Sequence, residues 1–69
     1  MNSTKSLREQ TVQILKDNQG RLPLVARETG LKHNWLATMA RDEIADPGVL
    51  KCEAVVYWHR AQLARGRVA

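Results

Sequence analysis

Residues 22–41 read LPLVARETGLKHNWLATMAR, and the fold turns on this stretch. Pro23 suits the first turn of a helix, where its missing N–H would have no intrahelical partner anyway. Gly30 suits a sharp corner after that helix, because it adopts a positive φ without steric cost. Two helices crossing at a tight corner need a small residue where they touch and a glycine in the turn. Ala26 fits the contact position and Gly30 the turn. Leu31, Leu36 and Met39 then fall where a following helix faces a core. The stretch predicts a short helix over residues 23–29, a turn, and a second helix over residues 33–41.

Two further helices flank this pair. Ser6 and Glu9 form a capping-box pattern, in which each side chain satisfies the other residue's backbone donor. Leu7, Thr11, Ile14 and Leu15 follow at helical spacing, predicting a helix over residues 7–18 that Gly20 ends in a positive-φ turn. After Pro47 and Gly48, the residues Val49, Cys52, Val55, Val56 and His59 recur at three- and four-residue steps, predicting a helix over residues 49–64. Tyr57 and Trp58 thicken its apolar face. No segment alternates apolar and polar residues long enough to make a strand. The expected fold is all-α, a small four- to five-helix bundle with a frayed basic C-terminus. Residues 1–6 are expected to be flexible, residues 7–60 to form the domain, and residues 61–69 to form a basic tail.

At 69 residues the chain bounds a single domain with a thin core, which disfavours a deep enclosed active site. Apolar residues make up 43% and charged residues 26%, ordinary for a folded domain. Eleven Lys and Arg against seven Asp and Glu give a net charge of +4, which favours a polyanionic partner, nucleic acid first. Cys52 is the single cysteine, so no internal disulfide can form, consistent with a reducing cytoplasm. The longest apolar run, residues 54–58, is far too short to span a membrane, and the polar start has no signal-peptide pattern. A soluble cytoplasmic protein is expected.

The segment 22–41 resembles the helix-turn-helix of the phage Cro and repressor proteins, the XRE type, and looks most like short regulators carried by bacteriophages or prophages. The loop with Asp46, Pro47 and Gly48, followed by a core helix carrying Cys52, Val55 and Val56, matches the layout that often follows the recognition helix in that family. The family often has Gly directly after this helix; here the position is Asp42, which tolerates the left-handed conformation better than most residues. The resemblance implies a bacterial host's cytoplasm, transcription regulation, and operator DNA bound by a homodimer. It implies that the helix from His33 lies in the major groove. Its outward positions would be Lys32, His33, Asn34, Ala37, Thr38 and Arg41. Asn34 would pair with adenine, Lys32 and Arg41 would reach guanine or phosphate, and the methyls of Ala37 and Thr38 would touch thymine. Arg21 and Arg27, near the preceding helix, would sit against a phosphate.

A second function class is a helix-turn-helix fold reused for protein binding, as a monomer, with bacterial RNA polymerase as target and inhibited initiation or altered termination as outcome. The acidic residues Asp42, Glu43 and Asp46, which would repel a phosphate chain, suit it. So do Tyr57 and Trp58 on the fourth helix and the arginines Arg60, Arg65 and Arg67. Tyr57 and Trp58 also mark the best candidate for a dimer surface. The bland alternatives are a solvated polar helix face, a soluble acidic turn and a solvated basic end. Catalysis is not expected: no carboxylate pair, phosphate-cradling loop or nucleophile arrangement is visible. Cys52 and His59 share a helix face, but two ligands without a third do not hold a metal, so no cofactor, metal or small-molecule substrate is expected.

Overall fold

A computed structural model describes residues 6–66, and the expectations placed on residues 1–5 and on 67–69, Arg67 included, lie outside the described residues. Among the described residues the fold is all-helical, without strands: α1 (Leu7–Asp17), a 3-10 turn (Gln19–Arg21), α2 (Leu22–Thr29), α3 (His33–Ala40) and α4 (Val49–Ala64).

The capping box starts α1 as expected. Ser6 Oγ accepts from the Glu9 N–H at 3.1 Å, and Glu9 Oε1 accepts from the Ser6 N–H at 2.9 Å. Two backbone donors that a helix start leaves orphaned are thereby satisfied. The end of α1 differs from the expectation. Gly20 does not take a positive φ; the chain leaves the helix at Asn18, whose N–H donates to the Leu15 carbonyl. The Asn18 side chain is buried and Nδ2 donates to the Ile14 carbonyl at 2.8 Å. The chain then tightens into the 3-10 turn, which periodicity does not signal, and α2 begins one residue earlier than predicted, at Leu22.

The core is one cluster drawn from all four helices. Leu15, Val25, Leu36, Met39 and Val55 are fully buried, and Val12, Ile14, Leu22, Ala40, Cys52, Val56 and Trp58 surround them. Each large side chain stabilises the fold by about 1.5–3 kcal/mol relative to leaving it in water. Helix α1 lies against both α3 and α4, and α2 lies against α3 and α4. Thr11, fully buried on the inward face of α1, donates its hydroxyl hydrogen to the Leu7 carbonyl at 2.8 Å, so its polar atom is not orphaned.

Helix α4 departs from its predicted face in two ways. Val49, expected in the inward stripe, is exposed. At the other end the packed domain runs past residue 60: α4 stays helical to Ala64, and Gln62 is only 3% exposed. The helix thus ends where it is predicted to, and the tail expected from residue 61 is packed into the fold at least as far as Gln62. The reason is a specific partner, Glu28 of α2, described below.

Candidate nucleic-acid interface

The corner between α2 and α3 forms as the sequence requires. Gly30 stands at φ 79° as the C-cap of α2, and its N–H donates to the Ala26 carbonyl at 2.9 Å. A single bond of this kind closes a helix into the left-handed region. Thr29 reinforces the corner: its hydroxyl donates to the Val25 carbonyl at 2.7 Å and accepts from the Leu31 N–H at 3.2 Å. Ala26 and Leu31 pack against the core, and Leu36, Met39 and Ala40 turn the inner side of α3 inward.

With that side fixed, the helical repeat places Asn34, Thr38 and Arg41 opposite it, flanked by His33 and Ala37. Lys32, His33, Asn34 and Arg41 are exposed. Thr38 and Ala37 are half-buried. The Thr38 hydroxyl donates to the Asn34 carbonyl at 2.8 Å, so Thr38 offers its methyl group and a lone pair outward, not a hydrogen. Arg41 is engaged at its own end of the helix: Nε donates to Glu43 Oε1 at 3.1 Å. On α2, Arg27 is exposed, whereas Arg21 is half-buried in the turn before that helix. No side chain caps the N-terminus of α2 or α3, and neither carries an acid in its first turn. The positive end of each helix dipole therefore meets no carboxylate of its own first turn.

One basic residue escaped the sequence reading. Lys51, in the first turn of α4, stands with its Nζ 5.6 Å from the centre of the Trp35 ring. A cation over an indole face is held by the ring quadrupole. Gly30, Leu31, Lys32, Trp35 and Lys51 line one groove at the start of α3. Two ammonium groups and no carboxylate thus border the end of α3 that also displays His33 and Asn34. Nothing local in the sequence ties Lys51 to Trp35; only the packing of α4 brings them together.

The acidic loop is not a uniform negative patch. Asp42 stands at φ 60°, the left-handed position expected of it. Its carboxylate pairs with Arg8 of α1, and Arg8 Nε also donates to the Ile44 carbonyl at 3.1 Å. Arg8, in the first turn of α1, is therefore the clasp that holds the loop between α3 and α4 on α1. Glu43 is neutralised by Arg41, and Asp46 is exposed.

The expected contact surface around Tyr57 and Trp58 needs correction. Tyr57 is 71% exposed, but Trp58 is 7% exposed and lies inside the fold. Its indole Nε1 donates to Glu28 Oε1 at 2.8 Å, and Gln62 Nε2 approaches the same oxygen at 3.4 Å. Trp58 is a structural strap between α2 and α4, unavailable to a partner. Arg60 and Arg65 are exposed.

Among the described residues no group of three or more His, Cys, Asp and Glu side chains converges to hold a metal, and no helix is long and apolar enough to cross a membrane. No family model, curated protein or solved structure matches the chain.

Proposed function

We propose that this chain is a transcription regulator of the phage helix-turn-helix type, acting in the cytoplasm of a bacterial host and binding operator DNA as a homodimer through α2 and α3. One observation carries the proposal. The start of α3 leaves Lys32, His33 and Asn34 exposed, and Lys32 and Lys51 line a groove beside the corner at Gly30 that no carboxylate borders. An α-helix with its side chains is about 10–12 Å across, so α3 with such a face suits a major groove about 12 Å wide. Asn34 would supply a bidentate contact to adenine, Thr38 a methyl for thymine, and Lys32, Lys51 and Arg27 the phosphate contacts that set orientation. The pairing of Asp42 with Arg8 and of Glu43 with Arg41 reduces the repulsion that the loop would otherwise present to a phosphate chain.

A gel-shift titration on the promoter DNA flanking the gene tests this. Sequence-dependent binding tighter than about 1 μM at modest salt is expected, with log affinity falling linearly against log salt. Lys32→Ala should weaken binding to all sequences alike and reduce the salt slope by about one. Binding that is absent, or indifferent to sequence, refutes an operator-reading role.

One observation favours the second class, direct binding to bacterial RNA polymerase by a monomer. Arg41 is engaged by Glu43, so the far end of α3 presents an ion pair with Asp46 nearby in the chain, not a free cation. Capture of purified polymerase that is lost on reversing the charges of Glu43 and Asp46 would support it. Asp42 is left intact in that experiment, because its carboxylate holds Arg8.

A further inference from the structure

Helix α4 has two apolar faces, and the fold uses one. Cys52, Val55, Val56 and Gln62 face the core. On the outer side Leu50, Ala54, Tyr57, Ala61 and Ala64 recur at alternating four- and three-residue steps. That is the spacing of a coiled-coil seam, repeated here without interruption over the length of the helix. Leu50 is 81% exposed and Tyr57 71% exposed, so the two large side chains of the seam are left in water. Small alanines between them let a second helix approach closely.

The charges beside the seam choose both the occupant and its direction. Glu53 and Arg60 lie on the same flank, each directly preceding a seam alanine, and both are exposed. Lys51 and Arg65 stand on the other flank, which carries no acid. Against a second copy running antiparallel, Ala54 meets Tyr57, Leu50 meets Ala61, and Glu53 of each chain comes opposite Arg60 of the other. Two attractive pairs form by symmetry. Run parallel, the same helices would set Arg60 opposite Arg65 of the other chain, and Glu53 opposite the buried Trp58. Flanking charges of this kind set partner and orientation, and a symmetric dimer requires one surface that complements itself.

We infer that the outer face of α4 is a self-association surface, on which two copies of this chain pack their α4 helices antiparallel. The inference rests on the homodimer element of the function proposed above and assigns its surface; the interface itself uses no DNA.

Sedimentation equilibrium without DNA, from about 1 μM to about 1 mM, tests it over the range of weak to moderate dimers. A reversible monomer–dimer equilibrium is expected. Leu50→Glu and Tyr57→Glu should each leave a monomer with unchanged helical circular dichroism. Glu53→Arg and Arg60→Glu should each weaken the dimer by about tenfold or more, since each places two like-charge pairs at the seam. The double variant E53R/R60E should recover most of the loss, because the pairs are restored with their signs exchanged. A chain that stays monomeric throughout overturns the inference. So does a dimer that the single charge variants leave unchanged, or one that the double variant fails to rescue. If the chain is monomeric yet shifts operator DNA, the surface is wrong and the DNA-binding proposal survives. A dimer obeying the charge swap that ignores DNA gives the converse.

Discussion

Replacing Glu28 by alanine should unfasten α4 from α2 without touching a single apolar core residue. The carboxylate oxygen accepts from the Trp58 indole at 2.8 Å and from the Gln62 amide at 3.4 Å, and both donors sit on buried side chains. A buried donor stripped of its acceptor costs about 1–3 kcal/mol. Bonds to a charged acceptor stand at the stronger end of the scale. Glu28 itself is exposed, so water can follow the truncated side chain in and recover part of the loss. The longer Gln62 contact adds little. The net expectation is a destabilisation of about 1–2 kcal/mol, which for a domain of this size is a fall in melting temperature of roughly 5–15 °C. Thermal and urea unfolding followed by far-ultraviolet circular dichroism would measure it. Glu28→Gln, which keeps an acceptor oxygen, should lose less. The decisive arm is a double-mutant cycle with Trp58→Phe, which removes the donor: in that background Glu28→Ala should cost much less. Full additivity of the two substitutions, or an E28A variant within about 0.5 kcal/mol of the parent, would refute the strap.

Two other substitutions probe the corner and the proposed reading face. Gly30→Ala should destabilise by about 1–2 kcal/mol in a urea titration, because φ is 79° while no atom lies near the added methyl; the cost is backbone strain alone, and Gly30→Asn should cost less. Asn34→Ala should weaken operator binding by about 1–3 kcal/mol while leaving binding to unrelated DNA nearly unchanged, as competition gel shifts would show.

Where the chain follows local rules, the sequence is enough to place it. The capping box at Ser6 and Glu9, the glycine corner at Gly30 and the inward side of α3 each depend on residues within one or two turns of one another. Asp42 belongs here too, since a short polar side chain after a helix is a local signal for the left-handed region. Most of the misses are long-range. Trp58 lies on a helix that is apolar on opposite sides, so periodicity cannot say which side is buried; the answer is a carboxylate 30 residues earlier. Arg8 looks like any wet arginine until the loop 36 residues later folds over it. Lys51 reaches the Trp35 ring only because α4 packs on α1 and α2, which carry α3 between them. The 3-10 turn after Asn18 is legible only through the burial of that asparagine, since a polar residue reads as surface until its amide finds the Ile14 carbonyl.

Because α1 lies against both α3 and α4, its inward face is fully covered only once α4, made after residue 48, is in place. Until then the core lacks one wall, and the nascent chain is exposed to proteases and to sticking with its neighbours. Closing so distant a pair is entropically costly. A chain that stops ahead of residue 49 lacks the wall of the core that Cys52, Val55, Val56 and Trp58 supply, and is expected to unfold more readily than the whole bundle.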